Sequence, residues 1–136
     1  MRRVLVIGGR IGILVAASIT PEEQPRKWAE MEALRRHVST EAAEKERHPG
    51  YFQGGANLLQ TLVSDAGFRD IEVKTLVEPW GSTGTLEQLI PEAAYAELEP
   101  KTRTAVVEEI REAMRPYDKG NETQLPGGFY IATGHK

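Results

Sequence analysis

The stretch Val4-Leu5-Val6-Ile7-Gly8-Gly9-Arg10-Ile11-Gly12-Ile13-Leu14-Val15-Ala16-Ala17 decides how the rest of the chain is read. Two apolar runs flank a pair of glycines, and two readings compete. In the first, a strand leads into a phosphate cradle and a helix. That template is G-x-G-x-x-G, whose second glycine admits the pyrophosphate and whose third lets helix pack on strand. Aligned from Gly8, those two positions hold Arg10 and Ile13, so both fail. Ile13-Leu14-Val15 is β-rich rather than a capped helix start, and no acidic residue follows a second strand at the spacing that ribose binding needs. In the second reading Gly8-Gly9 is a tight turn, and Ile11–Ala17 is a strand buried on both faces.

Outward from this stretch, a helix is expected from about Pro25 to Val38, with Trp28, Met31, Leu34 and Val38 on one face. Thr20-Pro21-Glu22-Glu23 before it has a capping-box pattern. Residues 39–50 read as an exposed helix turning into a loop at His48-Pro49-Gly50. Leu58, Leu59, Leu62, Val63 and Ala66 follow helical spacing, Gly67 stands where a helix ends left-handed, and Phe68 can pack back on the last turn. Ile71, Val73, Thr75 and Val77 alternate with polar residues as a strand does. Pro79-Trp80-Gly81-Ser82 breaks it, and Thr85 with Gln88 starts another helix. Pro100–Arg115 is the last helix, Tyr117–Gly128 a turn-rich loop, and Phe129–Thr133 a final strand. About three strands make a narrow sheet whose edges need neighbours or protection.

These elements, taken in order, resemble the C-terminal half of a class I S-adenosylmethionine-dependent methyltransferase of the small-molecule type. Arg3-Val4-Leu5 and Gly8-Gly9-Arg10 match the helix end and turn before that family's fifth strand, with Val6-Ile7 in place of the usual Lys-Pro. Leu58–Ala66, Gly67-Phe68 and Ile71-Glu72-Val73 look like its helix, Ala-Gly-Phe turn and sixth strand. Gly128–Thr133 looks like its seventh strand. The resemblance implies an α/β chain with a partial Rossmann-like fold, residues 1–136 forming one domain. The last strand would run antiparallel in the middle of the sheet. Segments of about 20–50 and 80–120 would be helical insertions over the acceptor pocket.

The same resemblance implies S-adenosylmethionine as methyl donor, yet the glycine-rich loop and the acidic residue that hold it lie upstream of the matched part. No cofactor residue is therefore assigned, and this chain alone is expected to be incomplete for catalysis. Ser18 ends the first strand, where ligands of open α/β sheets bind. With Trp28, Tyr51, Phe52 and Trp80 it forms the expected acceptor-binding set, since apolar concave sites use such rings. Tyr95 is a further aromatic of the insertions. No catalytic residue is assigned. His37 lies in a charged helix, His48 in a polar loop and His135 in a tail expected to be disordered; their scatter fits no metal-ligand spacing. Glu22-Glu23 and Glu108-Glu109 are expected to be surface charges of helices.

Composition narrows the partners. A net charge of −3 leaves no basic footprint for nucleic acid. There is no cysteine, which excludes disulfides and thiolate chemistry and suits the cytoplasm. Arg10 interrupts both a signal-peptide core and a membrane span at the first apolar run. The expected partners are a small-molecule acceptor and, through the open sheet edge, a second copy, by simple association or strand exchange. Two alternatives stand beside this reading: a non-catalytic binding or dimerisation module, and a dinucleotide-binding oxidoreductase fragment.

Overall fold

A computed structural model describes residues 7–47, 49–79, 84–120 and 122–136. Among them, three strands form one mixed α/β arrangement with five α-helices. β1 covers Arg10–Ala16, β2 Arg69–Pro79 and β3 Pro126–His135. The sheet order is β1-β3-β2, and β3 is antiparallel to both neighbours. The last strand thus lies in the middle, as expected. The strand that the glycine turn was read to feed is there too. Gly8 takes φ +85°, a conformation that favours glycine, and Gly12 sits inside β1. No helix follows Gly12, which removes the phosphate cradle of the oxidoreductase alternative. The Arg3-Val4-Leu5 helix end lies outside the described residues.

β1 is buried on one face only, which corrects the two-faced expectation. Ile11 is buried, and Ile13 and Val15 pack with it against α3 (Gly55–Asp65), while Leu14 on the opposite face is 62% exposed. The registers Leu14↔Ile131 and Lys74↔Ile131 give this outer face a mixed apolar and charged row. An apolar run carries no alternation to reveal which face is wet. β3 also starts earlier and ends later than its aromatic core implies. His135 is a strand residue paired with Arg10 and Arg69, not part of a loose tail.

The helices begin and end where local chemistry places them. α1 (Pro25–His37) starts with Pro25, whose missing N–H costs nothing in the first turn, and ends on Arg35, Arg36 and His37, cations suited to a helix C-terminus. Thr20 caps the turn before it, accepting from the Glu23 N–H at 3.0 Å, rather than starting α1 itself. α1 buries Ala29, Met31, Ala33 and Leu34, while Trp28 and Val38 stay partly exposed at its margins. α2 (Thr40–Lys45) is capped by Ser39, which accepts from the Ala42 N–H. α3 ends on Gly67 at φ +91°, with the Phe68 side chain buried. α4 (Leu86–Leu89) opens with the full Thr85–Gln88 capping box. The Arg111 guanidinium of α5 (Pro100–Met114) donates twice to the Ile90 carbonyl just past α4, at 3.1 and 2.9 Å.

Two cores result. One gathers α1, α2, α4 and α5 around Met31, Leu34, Ile90, Val106, Val107, Ile110 and Met114. The other lies between the sheet and α3, around Leu59, Val63, Phe68, Tyr130 and Ala132. Among the described residues no helix is long and apolar enough to cross a membrane.

Candidate functional site

The carboxyl end of β1 and the first turns of β3 converge on one place. Gly128 makes this possible. Its carbonyl accepts from the Ala17 N–H at 2.9 Å and from the Gln24 side-chain amide at 2.7 Å. A Cβ at that position would collide with the Glu23 carbonyl oxygen, so a glycine is required for space. Gln24, itself buried, thereby ties β1, β3 and the start of α1 together.

Tyr130 stands on the buried face of β3 and is fully buried. Its hydroxyl accepts from the Ser18 backbone N–H at 3.2 Å and donates to the Glu23 carboxylate. Burial, then the neighbouring carboxylate, push the phenol above its ordinary range, outweighing the Ser18 contacts that lower it. It therefore remains a neutral donor. The Phe52 ring meets the Tyr130 ring edge-on at 6.1 Å. The Ser18 hydroxyl donates to the Phe52 carbonyl at 2.7 Å and accepts from the Gly55 N–H at 3.0 Å. These groups border a cleft of about 610 Å³, lined by Ser18, Glu22, Glu23, Gln53, Gly54 and Tyr130 among others.

The expected acceptor set is thus divided. Ser18 borders this cleft, and Phe52 is bonded to it. Tyr51 lines a neighbouring cleft of about 450 Å³ with Gln24, Lys27 and Phe129. Trp28 lines a third, of about 480 Å³, between α1 and α5 with Pro25, Met114 and Tyr117. Trp80 and His48 lie outside the described residues. His37 sits 3.4 Å from Glu109, which also pairs with Arg36. Glu109 is partly buried, so it is not a free surface charge.

Tyr95 belongs to a separate, structural network. Its hydroxyl donates to the buried Glu30 carboxylate at 2.7 Å, and Lys27 holds the other Glu30 oxygen at 2.9 Å and reaches Glu46 at 3.2 Å. Burial and then Glu30 raise the Tyr95 phenol well above its ordinary range. Burial alone would lower Lys27, but Glu30 and Glu46 outweigh it and hold the ammonium raised. A buried carboxylate without such partners would be costly.

Reading the sequence missed Glu23, Gln24 and Tyr130. Glu23 passes for a helix-start charge, and its partner lies 107 residues away. The one available signal was Tyr130 itself: a buried tyrosine needs a partner for its hydroxyl.

The residues present do not fit S-adenosylmethionine. The Gly8-Gly9 turn runs into a strand instead of a helix, so it offers no helix N-terminus to such a ligand. No step through that cofactor is assigned to these residues.

No protein-family model matches the chain, and no curated protein is similar to it in sequence. Among solved structures, a putative methyltransferase from Bacillus halodurans C-125 aligns with 98% of this chain at 13% identity and a TM-score of 0.44. The chain spans 58% of that protein's length. Similarity at that level assigns no chemistry.

Proposed function

We propose that this chain is the acceptor-side part of an S-adenosylmethionine-dependent small-molecule methyltransferase, with a partial Rossmann-like sheet completed along β1 by further polypeptide. The observation that carries the reading is the sheet order β1-β3-β2 with an antiparallel middle strand, in a chain whose glycine turn and Gly67-Phe68 helix end fall in the order that family uses. The unfinished side of the sheet supports it further. Among the described residues, no strand lies beside the outer edge of β1 from Arg10 to Val15; only Tyr51 bridges to Ala16 at its end. Beside that edge runs an apolar groove of about 390 Å³ lined by Ile11, Ile13, Leu59, Leu62, Val63 and Phe68. A strand paired to β1 with a helix laid in the groove would cover both.

Calorimetric titration with S-adenosylmethionine and S-adenosylhomocysteine tests the reading. The chain alone should give no saturable heat, and extension with the polypeptide encoded upstream of Met1 should restore it. Tight binding by the chain alone would sink the proposal.

The binding or dimerisation alternative rests on the same edge and groove. Without a completing segment, a second copy can pair there, and sedimentation velocity would show a dimer that dissociates on dilution.

A further inference from the structure

We propose that the cleft at the carboxyl end of β1 binds an amine- or hydroxyl-bearing small molecule through the Glu23 carboxylate, held in place by Tyr130. This takes the acceptor reading one step further, to ligand class, and rests on it for naming that ligand the methyl acceptor.

The first ground is preorganisation. Glu23 is half-buried, and its backbone is fixed from both sides: its N–H donates to Thr20 Oγ1, and its carbonyl packs against Gly128. One carboxylate oxygen accepts the hydrogen bond of the Tyr130 hydroxyl, which sets the side-chain orientation. The other has no hydrogen-bond partner among the described residues. A carboxylate in that state offers a directed acceptor at little entropic cost, the condition for a specific polar contact.

The second ground is what else the cleft can offer. The Ser18 hydroxyl is spent on Phe52 and Gly55, and the Tyr130 hydroxyl on Glu23. No lysine or arginine lines the cleft, and Glu22 adds a second negative charge. Two carboxylates with no facing lysine or arginine disfavour an anionic ligand, whereas an N–H or O–H donor completes the free oxygen. The volume suits a small organic molecule.

Matched probes decide the matter. Benzylamine, benzyl alcohol and benzoate are titrated into ¹⁵N-labelled protein, following amide shifts. Benzylamine should shift Ser18, Thr20, Glu23 and Gly54 saturably, with benzyl alcohol weaker at the same place and benzoate inert. Glu23→Gln should weaken benzylamine at least tenfold with the rest of the spectrum unchanged, and Tyr130→Phe should weaken it a few-fold through lost positioning. Benzoate binding as well as benzylamine, shifts mapping to the Trp28 cleft instead, no saturable shift with any probe, or an unchanged affinity in Glu23→Gln would each overturn the proposal. The wild-type shift map needs no variant, so misfolding of Glu23→Gln cannot hide the answer. No methyl donor is present, so a failed acceptor reading would leave amine binding intact, and failed amine binding would leave the completion of β1 untouched.

Discussion

In the helical core Ile90, Val106, Val107 and Ile110 are at most 1% exposed, whereas along the groove beside β1 Leu62 is 49% exposed. Both regions are rich in aliphatic residues, and the difference lies in what surrounds them. α1, α2, α4 and α5 enclose their shared cluster, and Tyr95 and Lys27 hold the buried Glu30 carboxylate beside it. The sheet and α3 bury Tyr130 and Ala132 fully, but among the described residues one strand edge and one helix flank have no cover. The contrast teaches that, among the described residues, one core is closed on all sides and the other is open along one flank.

The largest test is a paired truncation. Ile110→Ala should cost about 2–5 kcal/mol, the range for a fully buried aliphatic, while Leu62→Ala should cost less than about 1 kcal/mol because half its surface is already wet. Urea melts of both variants give the comparison directly. Equal losses would abolish the distinction between a closed and an open core.

A smaller effect separates the helical core by pH. Tyr95→Phe removes a donor from the buried Glu30 carboxylate and should cost about 1–3 kcal/mol at neutral pH. The Tyr95 phenol is raised in the folded state, so above pH about 10 the unfolded chain releases a proton that the native protein keeps. Stability contributed by this group is fully present below that pH and falls as pH rises beyond it. Melts at pH 9 and pH 11 should show a shallower alkaline loss in Tyr95→Phe than in the wild type. An identical slope would mean that Tyr95 titrates normally.

The smallest effect on stability sharpens the comparison most. Leu62→Glu at the open groove should lower the unfolding free energy by no more than about 1 kcal/mol. It should also abolish any concentration-dependent association seen by sedimentation. A large loss of stability would show that the groove is already covered within the chain.

What the sequence made legible follows from how local each signal is. Gly67 with Phe68, Thr85 with Gln88, and the prolines at 25 and 100 act within one helical turn, and each is found where its chemistry puts it. The middle position of β3 came from resemblance, not from any residue pattern. The facing of β1 was illegible because Ile11–Ala17 is apolar throughout, so Leu14 could not be told from Ile13. The Glu23–Tyr130 bond was illegible for another reason: each partner has an ordinary local role, and only the folded sheet brings them together. His135 was misread because proximity to a chain end says nothing of strand pairing.

One detail of the glycine turn has a practical consequence. The Gly8 N–H donates to the Lys136 carbonyl and the Lys136 N–H to the Gly9 carbonyl, so the two stretches lie side by side. They sit at the Arg10 end of β1, and the cleft lies past Ala16, roughly 20 Å away at about 3.3 Å per residue. An affinity handle or fluorophore attached after Lys136 would therefore hang from the floor of the sheet, clear of the mouth where a guest molecule would enter.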